Sequence, residues 1–142
     1  AAVDVPIYDL PNRTLAAIGD VGLVSTLLLA TTGTYASQVY QTNDRTAVET
    51  PNESTRTVVH ELIMAVKSGD VPAQQRCFPQ VVAALPKGVE SVILGCTELS
   101  LLAGQFRIAR PELTFVDPLE VAARYIIDAY APLKTAAVDH SA

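Results

Sequence analysis

The chain has 142 residues, 49% of them hydrophobic, with a formal net charge of −5 and a mean hydropathy of +0.28. That is material for one domain with a real core, and too apolar for a disordered chain. Lysine and arginine are scattered singly, which excludes a basic stripe for a nucleic-acid backbone. No apolar run is long enough to span a bilayer. The chain opens Ala1-Ala2-Val3-Asp4 and has two cysteines, Cys77 and Cys96, a pattern that argues for free thiols in a reducing cytoplasm rather than a secreted disulfide framework.

Val3 to Ile7 is short and β-branched and reads as a strand leading to a helix start at Pro11. Leu15, Ile18 and Val21 then form a helical stripe closed by Gly22, although Gly19 weakens that helix. Thr26 to Thr31 reads as the next strand, running into Thr32-Gly33-Thr34. There Gly33 permits a sharp turn or a close approach by a ligand, and Thr34 is an N-cap for a helix through Ala36, Val39 and Tyr40. The hydroxyls and amides of that turn could bind an anion, though on the turn's residues alone an ordinary capped helix start is the preferred reading. After a loop at 43–44, Ala47 to Thr50 reads as a short strand ended by Pro51.

From Ser54 onward, Val58, Leu62 and Val66, flanked by Val59 and Ile63, recur at helical spacing up to Gly69. Lys67 falls in the last turn, where the helix dipole favours a cation, and His60 reads as a surface or boundary residue. Asp70-Val71-Pro72 opens another helix with Phe78, Val81, Val82 and Leu85 on its apolar face. Pro79 conflicts with a regular interior turn and predicts a late start or a kink; Cys77 is expected to fill the core.

Beyond a turn at Pro86-Lys87-Gly88, the apolar run Val89 to Gly95 reads as the central strand, and it delivers Cys96 to its carboxyl end. A helix opening there would favour negative charge and lower the thiol pKa, and the amides of Thr97 and Glu98 would be free for a carboxylate. A buried, inert cysteine fits the same pattern. Leu99, Leu101 and Leu102 place a helix ending by Gly104. Phe115 and Val116 form a last strand before an Asp117-Pro118 helix entry, and Leu119, Ala122, Ile126, Ala129 and Leu133 recur at steps of three and four. Strands and helices alternate throughout, so the expected class is α/β, with a mostly parallel sheet flanked by helices. Parallel strands share their carboxyl edge, so Thr31 to Thr34 and Gly95 to Thr97 should open on one side of the sheet.

Leu28-Leu29-Ala30-Thr31-Thr32-Gly33-Thr34, the following Tyr40, Val66-Lys67-Ser68-Gly69, Gly95-Cys96-Thr97-Glu98 and Val116-Asp117-Pro118 occur in the order that resembles the aspartate/glutamate racemase family. The set is most similar to its aspartate racemase branch, where Glu follows the Cys-Thr pair. The resemblance implies a fold of two similar α/β domains facing each other, each supplying one cysteine. Proton removal from one face of the substrate Cα and return on the other would then need neither pyridoxal phosphate nor metal. By the same resemblance Cys96 is one acid/base thiol. Thr97, with Thr32, Gly33 and Thr34, would hold one carboxylate, and Lys67 would reach the second as a point charge. Glu98 would orient Cys96 or its protonation state, or stabilise the helix start.

The family's Cys-Asn-Thr motif, which carries the partner cysteine, has no counterpart in these residues. The chain is accordingly similar to the second domain: 1–22 a linking strand and helix, 23–116 the α/β domain, and 117–142 a terminal helix that would pack on the first domain. The implied activity is a cofactor-independent racemase of small acidic amino acids such as aspartate or glutamate, incomplete in this stretch, with a homodimer or a first domain as partner. A catalytically silent carboxylate-binding or interaction module, or a related isomerase or decarboxylase, is the alternative. Neither nucleic acid nor a membrane is expected as a partner.

Overall fold

The computed structural model describes residues 7–40 and 44–136, with side chains through 129. Among them the order is α1 (Leu10–Asp20), β1 (Ser25–Leu29), α2 (Thr32–Ser37), β2 (Ala47–Glu49), α3 (Glu53–Ser68), α4 (Val71–Ala84), β3 (Ser91–Leu94), α5 (Thr97–Ser100), α6 (Ala103–Ala109), β4 (Thr114–Val116) and α7 (Pro118–Ala136). The four strands form one sheet in the order β2-β1-β3-β4, and every pairing is parallel. The chain steps from β1 outward to β2, then crosses back over β1 to β3, so the connection reverses direction between β1 and β3. Ligands of open α/β sheets bind at that point, beyond the carboxyl ends of the strands. The strand expected at Val3 to Ile7 lies outside the described residues apart from Ile7, which is exposed and not in a strand.

Both faces of the sheet are covered, which explains why the strands read as apolar runs rather than alternating ones. Leu27, Leu29, Val92, Leu94 and Phe115 face one side and pack with Val59, Leu62 and Ile63 of α3, Val81 of α4 and Phe106 of α6. Phe106, fully buried, lies between Phe78, tilted against it at 4.8 Å, and Phe115, stacked on it at 5.4 Å. Leu28, Ala30 and Ile93 face the other side against Leu15 and Ile18 of α1. Cys77 is 1% exposed within the first cluster, the core-filling place expected of it.

Local chemistry sets the helix ends. Asp9, Asn52 and Asp70 cap α1, α3 and α4 by accepting from Asn12, Thr55 and Ala73 amides, and Gly69 closes α3 with φ at 71°. Gly19 is tolerated inside α1 because a Cβ there would lie 3.3 Å from Arg45 Cβ, so glycine lets that loop approach. Val21, expected on the buried stripe, is instead 70% exposed: α1 ends at Asp20 and Val21 is already its C-cap. Pro79 produces neither a late start nor a break. The helix runs from Val71 through it to Ala84, with Pro79 and Gln75 both exposed, so water can reach the carbonyl that proline leaves unpaired. The single helix expected to end by Gly104 is two: α5 stops at Ser100, Leu101 turns outward at 76% exposure, and Gly104 sits inside α6.

The terminal helix meets α1. Tyr8 and Tyr125 lie 4.8 Å apart, and the Arg13 guanidinium stacks 4.7 Å above the Tyr125 ring. Leu119, Ile126 and Ile127 of the same helix remain 46%, 53% and 63% exposed. None of the described helices is long and apolar enough to cross a membrane.

Candidate active site

Register brings the two strand ends together. Leu29 lies opposite Leu94, so Ala30-Thr31 and Gly95-Cys96 leave the sheet side by side, and the Gly95 amide donates to Leu29 O at 2.7 Å. A Cβ on Gly95 would fall 2.8 Å from Leu28 Cδ1 and 3.2 Å from both Ala30 Cβ and Leu29 O. Glycine is therefore needed for close approach, and that approach sets Cys96 beside β1.

Cys96 is half-buried and is the N-cap residue of α5, in extended backbone with no side-chain capping bond. Its Sγ–H donates instead to Glu98 Oε2 at 2.7 Å, and Thr97 Oγ1 donates to the same oxygen at 3.0 Å. The expected depression of the thiol pKa does not occur. Burial first, then the Glu98 carboxylate accepting the thiol proton, push Cys96 up to about 11. A four-residue α5 has too few aligned peptides for a dipole that could offset those effects. Glu98 moves the other way: the bond from Cys96 lowers its pKa most, followed by backbone and Thr97 hydrogen bonds, with the Lys67 ammonium adding a smaller attraction. The proton accordingly rests on sulfur, and Lys67, at the end of α3, is close enough for its charge to act on Glu98.

The β1 end differs in detail from expectation. Thr31, not Thr34, caps α2: its Oγ1 accepts from Thr34 N at 3.2 Å and pairs with Thr34 Oγ1 at 3.0 Å. Thr31 is the residue with extended backbone, which a cap requires, whereas Thr34 is already helical. Gly33 makes no sharp turn. It lies in the first turn of α2, where a Cβ would touch only Thr31 Oγ1 at 3.9 Å, so it leaves space rather than supplying unusual backbone. Tyr35 ties this turn to the strand, its hydroxyl accepting from Ala30 N at 2.9 Å and donating to Leu28 O at 3.3 Å.

Thr32 and Thr34 line an open cleft of about 700 Å³ with Tyr35, Tyr40, Thr50 and Arg56. A smaller cavity of about 100 Å³ beside it is lined by Cys96, Thr97, Ser100, Asp117 and, again, Tyr40. Thr32, Gly33, Thr34, Cys96, Thr97, Glu98 and Lys67 thus gather along one edge of the sheet. His60 is exposed on α3.

One group at this edge is not among the residues singled out from the sequence, and another is singled out there without a role in the site. Arg56 stacks 4.8 Å over the Tyr35 ring while donating to Pro51 O and Thr50 Oγ1, both at 2.7 Å; it carries no motif, and only the fold reveals it. Asp117 reads from sequence as a helix cap and as part of the Val116-Asp117-Pro118 motif, with no site role; it follows β4, and the carboxyl ends of all parallel strands share one edge. Among the described residues no group of three or more His, Cys, Asp or Glu is arranged to hold a metal ion.

A family model described as Asp/Glu/hydantoin racemase matches residues 1–126. An uncharacterized protein encoded 3′ of pnlA in Pectobacterium carotovorum subsp. carotovorum is 37% identical over 107 residues, which make up 72% of this chain and 71% of that protein. The solved structure of Picrophilus torridus aspartate racemase superposes with a TM-score of 0.77 at 20% identity, over 92% of this chain and 55% of its own. That of an aspartate racemase homologue from Pyrococcus horikoshii superposes with a TM-score of 0.69 at 22% identity, over 91% and 58%. The chain spans little more than half the length of those structures and shares their α/β fold over that half. It belongs to the Asp/Glu/hydantoin racemase family.

Proposed function

We propose that this chain carries one half of a cofactor-independent amino-acid racemase site for aspartate, glutamate or a related acidic amino acid, with Cys96 as the acid/base for one face of Cα. The observation that carries the reading is the Cys96–Glu98 pair, a thiol donating at 2.7 Å beside the β1/β3 reversal point, in a chain of this family. A thiol pushed up to about 11 is protonated at neutral pH, which suits it to return a proton rather than remove one. In that direction the S–H proton passes to the carbanionic Cα, and the electron pair stays on sulfur as a thiolate next to Glu98. The Lys67 charge offsets part of the resulting repulsion. In the reverse direction the thiolate takes the proton back. The group that works on the opposite face is a second thiol supplied by a complementary domain. Thr32 and Thr34 hold one carboxylate with side-chain hydroxyls and Thr97 with its backbone amide, its hydroxyl being given to Glu98; Gly33 leaves space for that carboxylate, and Lys67 attracts the other. Glu98 acts through Cys96 as a positioning residue.

Exchange of the Cα hydrogen in D2O, followed by NMR on L-aspartate and L-glutamate, tests this. Cys96→Ser is expected to abolish exchange and Cys77→Ser to leave it nearly unchanged, since Cys77 is enclosed in the core. Equal loss from both, with the fold intact, would sink the assignment. A second reading is favoured by the span of little more than half a racemase structure: a carboxylate-binding module that is silent by itself. It predicts aspartate binding with no deuterium at Cα and weaker binding in Lys67→Ala.

A further inference from the structure

A buried carboxylate stands beside the thiol with one oxygen unused. Asp117 is 6% exposed and lines the Cys96 cavity. Its Oδ1 accepts from Ser100 Oγ at 2.8 Å and from Leu119 N at 2.9 Å, and among the described residues Oδ2 accepts no hydrogen bond. Capping α7 requires a single acceptor, which Ser, Thr or Asn supplies without charge. A carboxylate withdrawn from water calls instead for a cation. Arg107, whose charge interacts with Asp117, is otherwise engaged: it donates to both Glu120 oxygens at 3.0 and 2.9 Å and to Phe115 O at 3.3 Å. Tyr40, on the cavity wall, offers only a neutral hydroxyl, its pKa raised by burial and further by the Asp117 charge itself.

We propose that Asp117 binds the α-ammonium group of the amino-acid ligand through Oδ2, while Ser100 and the Leu119 amide hold Oδ1 in place. This rests on the acidic amino-acid reading above and completes its recognition, since the threonines and Lys67 address only carboxylates. At about 100 Å³ the cavity accommodates the ammonium and Cα but not a whole dicarboxylic amino acid. The carboxylates then extend outward toward Thr32, Thr34 and Lys67. An ammonium pinned at Asp117 holds Cα against the Cys96 wall of the cavity.

Calorimetric titration of the whole chain with L-aspartate and with succinate, which keeps both carboxylates but lacks the ammonium, tests the assignment. Asp117→Asn preserves the capping acceptor and removes the charge. It is expected to weaken aspartate about tenfold or more, as for a lost charged hydrogen bond, and to leave succinate unchanged or tighter. Ser100→Ala, which frees Oδ1, should weaken aspartate alone by a smaller factor, and it serves if Asp117→Asn does not fold. Succinate binding with aspartate affinity indifferent to both substitutions overturns this proposal by itself, as does equal weakening of the two ligands. Failure of both ligands to bind the unsubstituted chain overturns the acidic amino-acid reading together with it.

Discussion

The Cys96 thiol and the Glu98 carboxylate share one proton-bearing contact, and that contact makes a measurable demand on pH. With its pKa raised to about 11, first by burial and next by Glu98, Cys96 should be alkylated by iodoacetamide with an inflection near that pH. Glu98→Gln should bring the inflection down toward the ordinary thiol value of about 8.5. Cys77, 1% exposed, should stay unmodified until the chain unfolds. Mass spectrometry of the two cysteine peptides against pH reads all three, and an inflection for Cys96 below neutral would refute the assigned environment. Linkage gives the sign for stability. A thiol held protonated in the fold contributes stability that is complete below its unfolded pKa and is lost as pH rises toward about 11. The position of Cys96 was legible in the sequence, because an apolar run ending in Gly-Cys-Thr-Glu announces a strand end. Its protonation was not, because the expected helix dipole depends on a helix length that packing cuts to four residues.

At the scale of elements, the β1–β3 pair does most to build the site, and Gly95 is its tightest point. Gly95→Ala would force a Cβ to within 2.8 Å of Leu28 Cδ1, and the backbone oxygen of Leu29 on the other side cannot rotate away. Overpacking of this kind costs about 1–3 kcal/mol, to be read as a lower urea midpoint. Gly33→Ala provides the contrast. Its Cβ meets nothing closer than 3.9 Å in a helical turn, so stability should hold or rise by up to about 1 kcal/mol. Helical periodicity identified α1, α3, α4 and α7, whose apolar stripes and caps are local. The break between α5 and α6 escaped it, because Leu101 and Leu102 look alike in sequence and only packing buries Leu102 while turning Leu101 to solvent.

Across the whole molecule, several large aliphatic side chains among the described residues are exposed, and α7 carries three of them. Leu119, Ile126 and Ile127 lie exposed along α7, on a helix anchored to α1 by Tyr8, Arg13 and Tyr125. Exposed apolar side chains grouped on one helix promote association. We expect sedimentation velocity to show concentration-dependent self-association, and the double substitution Ile126→Glu, Ile127→Glu to suppress it while leaving the unfolding midpoint nearly unchanged. A monomer at every concentration would show that the face is tolerated in water.

By itself the sequence determined the alternation of strand and helix, and hence an α/β sheet with Cys96 at a carboxyl edge. Those features follow from periodicity, caps and turn residues within a few positions of one another. Tertiary structure alone decided which strand ends are neighbours, since the order β2-β1-β3-β4 depends on long-range pairing that no local pattern encodes. It also decided that the Cys96 proton stays on sulfur, and that Asp117 is buried on the wall of the same cavity. Both outcomes depend on burial and on the field of distant side chains, quantities that exist only once the chain has folded.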